Sequence, residues 1–154
     1  MTPPGGGTGA DSPARIRVLF VSSGNAARSQ MAEAILRQEA GDRFEVASGG
    51  TNARAIEGLT EEVMREAGFD LGDARSKSVT TFLGRKFDYV ITLCDRARVE
   101  CPIFPGGAQT LHWGLDDPSE AEAGQQPAAF RRALTEVSGR IRAFIPLATL
   151  AASR

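Results

Sequence analysis

Three groups of residues have the types and spacing that chemistry needs. The first is Ser22-Ser23-Gly24-Asn25-Ala26-Ala27-Arg28-Ser29, a run of small residues that follows an apolar stretch and closes on an arginine and a hydroxyl. Gly24 and Asn25 tolerate left-handed backbone angles, so the run can curl until several N–H groups point inward. A helix starting just beyond it adds partial positive charge at the same spot. Arg28 can close the ring with a two-pronged grip on an anion, and Ser29 can hydrogen-bond the group at position 22. Such an arrangement suits capture of a small tetrahedral oxyanion. A plain strand–turn–helix junction with an N-capping serine gives the same local pattern, so the run alone leaves both readings open.

The second group is Cys94 and Cys101, with six residues between them. Two unrelated core cysteines are one reading, since free cysteine is often buried. A zinc site is disfavoured: the spacing exceeds the usual two to four residues, and His112, the one histidine, cannot complete four ligands. A redox pair is the other reading, in which the intervening loop brings the sulfurs within disulfide range and Arg96 and Arg98 favour a thiolate. The third group is Asp116-Asp117-Pro118. A carboxylic acid on a mobile loop can give a proton to a leaving oxygen. Taken alone, the tripeptide reads more simply as a turn.

The elements that must position these groups follow from periodicity. Residues 16–21 are β-rich and nearly all apolar, as in a strand buried on both faces of a parallel sheet. A helix is expected over about 28–39, with Met31, Ala34, Ile35 and Gln38 on its apolar stripe and Gly41 past its end. A short strand over 44–47 is expected to stop at Gly49-Gly50. A helix over about 56–67 follows, with Gly68 at C′, then a shorter helix over 79–83. Strands are expected over 87–93 and within 108–113, then a polar loop over 114–127. The last helix should run from Pro127 to about 145, burying Phe130, Leu134, Val137, Ile141 and Phe144. Alternating strands and helices imply an α/β fold, a parallel sheet with helices on both faces.

Composition narrows the field further. The chain has 154 residues, 42% of them hydrophobic, which suits one domain with one core. Its 18 basic and 19 acidic residues are interspersed for a net charge of −1, which argues against nucleic acid or an anionic membrane as partner. No apolar run approaches the ~20 residues of a membrane span. Residues 1–14 carry Pro3, Pro4 and a triple glycine without the apolar stretch of a signal peptide. They read as a disordered leader ahead of a domain over 15–150, in a cytoplasmic protein.

The stretch "VLFVSSGNAARSQMAE" at 18–33 resembles the active-site region of the low-molecular-weight protein tyrosine phosphatases and of the arsenate reductases built on that fold. The likeness runs from about 16 to 145 and includes "SGGT" at 48–51, "RSKS" at 75–78, "HWG" at 112–114 and "DDP" at 116–118. It implies a single domain with a four-stranded parallel sheet flanked by helices, and an oxyanion, arsenate or phosphate, held by Ser23, Gly24, Asn25, Ala26, Ala27, Arg28 and Ser29. The family motif is a cysteine, five residues, then arginine and serine or threonine; Ser22 stands at the cysteine. The "CDRARVEC" segment resembles the redox pair of the thioredoxin-coupled arsenate reductases. By that resemblance the attacking position is Ser22, the first relay thiol Cys94 and the second Cys101. Thioredoxin then supplies the reducing equivalents and no cofactor is bound. Asp117 matches the family's general acid, with Asp116 one position out of register. Ala27 stands where some members have a further cysteine.

The departure at position 22 decides what to expect of this chain. A thiol in such a loop has its pKa lowered to roughly 3.5–7.5, whereas a serine hydroxyl starts far higher and stays neutral. No base is at hand, since His112 resembles a family residue without that role. Ser22 is therefore expected to hold the anion without attacking it, as an engineered replacement of cysteine or, alternatively, in a naturally inactive relative. In some reductases of this type Asn, Glu, Ser and Asp positions bind potassium. Asn25, Glu33 and Ser48 match, and Lys77 stands at the Asp position, where its ammonium is expected to replace the ion. Two other functions fit the loop: a tyrosine phosphatase, disfavoured because no aromatic follows Pro118 in "DDPSEAEAG", and a non-catalytic oxyanion-binding module.

Overall fold

The computed structural model describes residues 14–153. The expected leader, apart from Ala14, lies outside the described residues. Strands β1 (Ile16–Ser22), β2 (Phe44–Gly50), β3 (Tyr89–Thr92) and β4 (Gln109–His112) form one sheet in the order β2-β1-β3-β4. Every pairing is parallel. Helices α1 (Arg28–Ala40), α2 (Gly58–Glu66), α3 (Asp95–Glu100) and α4 (Gln126–Ala152) make the crossovers and flanks.

The continuous apolar run of β1 is explained by its central place. Side chains alternate across a strand, so Ile16, Val18 and Phe20 enter one core while Leu19 and Val21 enter another. The first core is closed by α1 (Met31, Ile35, Leu36), α2 (Val63, Met64) and α4 (Phe130, Val137, Ile141, Phe144). The second is smaller and is closed by Val79, Phe82, Phe87, Phe104 and Ala97 of α3. Among the described residues, no helix is long and apolar enough to cross a membrane.

Gly68 is at C′ of α2 as expected, with φ +85°. Its N–H reaches Arg65 O at 3.1 Å, and Phe69 N reaches Met64 O at 2.9 Å. Those two bonds are the Schellman pattern that ends a helix. The expected apolar stripe of α4 is buried throughout.

Several boundaries differ from expectation, each for a tertiary reason. Gly49 and Gly50 do not stop β2 but belong to it. A Cβ on Gly49 would lie 2.9 Å from Val79 Cα, and one on Gly50 2.7 Å from Ser23 O. These glycines admit neighbouring backbone. On α1 the buried stripe is Met31, Ala32, Ile35 and Leu36; Gln38 is exposed. Helix α4 runs through Pro146 to Ala152. Pro146 forfeits its bond to the carbonyl of residue 142, but both residues lie on the exposed side, where water can serve that carbonyl. The expected helix over 79–83 is a 3-10 turn, Val79–Phe82. Finally, the segment between Cys94 and Cys101, read as a loop, is the helix α3.

Candidate active site

β1 ends at Ser22, and the chain then curls through 23–27 into α1. Each carbonyl of that curl is taken from outside. Ser22 O accepts from Thr51 N at 3.1 Å, Ser23 O from Asn52 N at 2.8 Å and Gly24 O from Arg54 N at 2.9 Å. Asn25 O accepts from Gln30 Nε2 at 3.1 Å. Ala26 O accepts from Glu57 N at 3.1 Å and Ala27 O from Met31 N at 2.9 Å. Among the described residues no peptide is cis, and in a trans peptide the N–H points opposite to the C=O. The amides of Ser23, Gly24, Asn25, Ala26, Ala27 and Arg28 therefore face the inside of the curl. Asn25 alone takes the left-handed conformation, at φ +50°. Gly24 does not need it; a Cβ there would meet Arg54 Nε at 2.9 Å. The residue preceding α1 is Ala27, without a side-chain cap, so the N-capping serine is not present.

Asn25, fully buried, ties the curl together. Its Nδ2 donates to Ser29 Oγ at 2.7 Å and to Ser48 Oγ at 2.9 Å. Its Oδ1 accepts from Gln30 Nε2 at 3.0 Å and from Lys77 N at 2.9 Å. Ser22 Oγ lies 2.6 Å from Ser29 Oγ and accepts from Asn25 N at 3.1 Å. Ser48 in turn donates to the buried carboxylate of Glu33 at 2.5 Å. The cation against Glu33 is Arg37, which also donates to Val46 O at 2.9 Å. By sequence, the Lys77 ammonium is expected in the place of a potassium ion beside Asn25, Glu33 and Ser48. That ammonium donates instead to Arg75 O at 2.9 Å, while the Lys77 backbone N–H donates to Asn25 Oδ1. Among the described residues, no group of three or more His, Cys, Asp or Glu side chains forms a metal cage.

Arg28 is buried at the end of the curl. Its Nη1 donates to Leu115 O at 2.9 Å, and its Nη2 lies 3.6 Å from Asp117 Oδ2. Leu115 N bonds Leu93 O at 3.1 Å, so the residue directly after β3 brings the 115–118 segment to the arginine. Asp117 Oδ1 caps the Pro118–Glu120 turn, accepting from Ser119 N at 3.0 Å and Ser119 Oγ at 2.7 Å. Burial raises the Asp117 carboxyl, but the Ser119 hydroxyl and amide and the guanidiniums of Arg28 and Arg54 outweigh it and hold the group below the ordinary carboxylate range. Asp116 is exposed beside it.

Cys94 directly precedes α3 and Cys101 directly follows it; both are free and partly buried against the smaller core. Burial pushes the Cys101 thiol up, so the neighbouring arginines do not make it a thiolate. His112 holds Thr92 Oγ1 at 2.7 Å with Nδ1 and Asp95 Oδ1 at 3.1 Å with Nε2. Both ring nitrogens are thus engaged away from Ser22.

The family model described as low molecular weight phosphotyrosine protein phosphatase matches residues 17–154. The chain belongs to that family. An arsenate reductase of Halalkalibacterium halodurans is 36% identical over 129 residues, covering 82% of this chain and 93% of the relative. A solved thioredoxin-dependent arsenate reductase of Corynebacterium glutamicum superposes with a TM-score of 0.70 at 34% identity, over 92% of this chain and 65% of that one. A solved arsenate reductase in a phosphate-binding state superposes with a TM-score of 0.70 at 26% identity, over 85% of this chain and 97% of that one. Within this family fold, sequence reasoning missed Gln30, Arg54, Ser76 and Ser119. Ser76 donates to Gly24 O at 3.1 Å. Only the hydroxyl two residues after Asp117 carried a local signal, since Asp and Ser at that spacing form a turn cap. Gln30 and Ser76 donate to loop carbonyls, Gln30 also to Asn25 Oδ1, and Arg54 donates to Gly24 O through its own backbone N–H, contacts that no local pattern announces.

Proposed function

We propose that the chain is an arsenate reductase in which the loop 22–29 holds arsenate, Cys94 and Cys101 relay electrons from thioredoxin, and Ser22 occupies the place of the attacking thiol. The observation that carries this reading is the pairing of two devices at the carboxyl ends of neighbouring strands. The inward-facing amides follow β1, and the cysteine pair follows β3. Ligands of open α/β sheets bind at that edge. Hydrolysis of a phosphate ester would use the loop and Asp117 and would not need the cysteine pair, so the second device favours reduction over phosphatase activity. The reading places the protein in the cytoplasm, where thioredoxin keeps thiols reduced.

With a thiolate at position 22, the sulfur bonds to arsenic and one arsenate oxygen leaves as water. Cys94 then attacks that sulfur; the arsenic departs as arsenite with the electron pair of the S–As bond, and a disulfide joins 22 to 94. Cys101 attacks Cys94 and frees position 22, and thioredoxin reduces the Cys94–Cys101 disulfide. Asp117 is held ionised, so the proton it hands to the leaving oxygen must first be taken up, and the hydrogen arsenate ion brings one. Ser22 has no base beside it and binds without attacking.

The test is Ser22→Cys assayed with arsenate, thioredoxin and its reductase. Turnover is expected in that background, and its loss on Cys94→Ser or Cys101→Ser. Undiminished turnover without either cysteine overturns the relay. The codon at position 22 of the native gene tests whether the serine is a replacement.

A further inference from the structure

The inner wall of the loop consists of donors. The amides of Ser23, Gly24, Ala26, Ala27 and Arg28 face in, and Arg28 closes the end. Ser22 adds to them. Ser29 Oγ accepts from Asn25 Nδ2 at 2.7 Å and has its own proton to give Ser22 Oγ, 2.6 Å away. Ser22 Oγ also accepts from Asn25 N. With Ser29 as the donor of that shared bond, both Ser22 lone pairs are used and its hydroxyl proton is free for the anion.

Asp117 supplies an acceptor against this wall. Its Oδ1 is filled by the two Ser119 bonds. Its Oδ2 faces Arg28 Nη2 at 3.6 Å, too far for a direct hydrogen bond, so its lone pairs stay available. The neighbouring acceptor, Leu115 O, is already occupied by Arg28 Nη1. Resting on the reading of this loop as an oxyanion site, we propose that Asp117 makes it selective for oxyanions that carry a proton, hydrogen arsenate and hydrogen phosphate, against sulfate. At neutral pH hydrogen arsenate and hydrogen phosphate each have an O–H to place on Oδ2. Sulfate has none and would set a bare, charged oxygen against a carboxylate whose side chain is 21% exposed. In so sheltered a place that repulsion is poorly screened. The discrimination is independent of residue 22 acting as a nucleophile.

Calorimetry on the Ser22 protein, with arsenate, phosphate and sulfate at neutral pH and fixed ionic strength, tests this. Arsenate and phosphate are expected to bind about tenfold or more tighter than sulfate, the scale of one charge-assisted bond gained against an unpaired oxygen. Asp117→Asn keeps an oxygen for the Ser119 cap and offers an N–H where Oδ2 was, so it should fold and bind sulfate more tightly, closing the gap to about twofold or less. Asp116→Asn should leave the gap open. Equal binding of the three anions, or a gap that survives Asp117→Asn, overturns the selectivity and leaves the oxyanion site standing. A gap that closes with Asp116→Asn also overturns it, assigning the effect to loop charge. No uptake of any anion by a folded protein overturns the site itself.

Discussion

Cys94 and Cys101 stand at opposite ends of one short helix, the first directly before Asp95 and the second directly after Glu100. Arg98 N bonds Cys94 O at 3.1 Å and Cys101 N bonds Ala97 O at 2.9 Å, so both cysteines are in helical register. Seven steps at roughly 1.5 Å rise put their Cα atoms about 10 Å apart. A disulfide needs about 4.4–6.8 Å.

Oxidation must therefore open α3. Treating the protein with a thiol oxidant is expected to join Cys94 to Cys101 and to abolish amide-exchange protection across 95–100, with a matching small loss of helical circular dichroism. A disulfide formed with that protection intact would show the helix to be no barrier.

Gly50 is required for close approach. A Cβ there would lie 2.7 Å from Ser23 O and 3.0 Å from Asn25 N, both backbone atoms of the loop. Gly50→Ala is expected to cost about 1–3 kcal/mol in chemical denaturation, the scale of overpacking, and to weaken phosphate binding. Gly58→Ala, with nothing within 4 Å of its new methyl, should leave both within error.

Asn25 combines a left-handed backbone with buried side-chain bonds to Ser29, Ser48, Gln30 and the Lys77 amide. Asn25→Ala loses the bonds and suits the backbone badly, and should cost about 2–4 kcal/mol. Asn25→Gly loses the same bonds but accepts φ +50°, so urea denaturation should find it the more stable of the two. The reverse order would show that the backbone angle is relaxed at no cost.

Glu33 is buried, and the cation paired with it is Arg37. Arg37→Ala is expected to lower the thermal midpoint more than Lys77→Ala, because only the first strips a buried carboxylate of its partner. Equal shifts would mean that Ser48 and water already satisfy the Glu33 side chain without the guanidinium.

Asp117 sets a pH dependence whose sign follows from its depressed carboxyl. Above the ordinary carboxylate range the folded and unfolded chains are both ionised there, and the stabilisation from Ser119, Arg28 and Arg54 is present in full. As pH falls from the ordinary range through the lowered value, the unfolded chain takes up the proton first and that contribution is lost. Asp117→Asn should thus be less stable than the parent near neutrality, with the difference shrinking in acid. A constant difference would mean that the carboxyl is not depressed.

The sequence by itself determined the α/β class and the parallel sheet. Apolar runs separated by 3.6-period stripes leave few other ways to bury 16–21 and the face of α4. It also determined the composition of the loop 22–29, because small residues, one asparagine and one arginine are local requirements. Tertiary structure decided what no local pattern encodes. Gly49 and Gly50 read as a stop until Val79 and Ser23 are seen pressing on them. Lys77 stands in sequence where its ammonium could replace an ion near Glu33, yet the cation against Glu33 is Arg37 and the Lys77 ammonium turns to Arg75 O. Cys94 and Cys101 look like the ends of a loop, yet a helix separates them, since α3 must set Ala97 into the smaller core. The depression of the Asp117 carboxyl came from the nearby Ser119 first, and then from Arg28 and Arg54, far away in the chain. Electrostatics and close packing depend on distance in space, and only the folded chain fixes those distances.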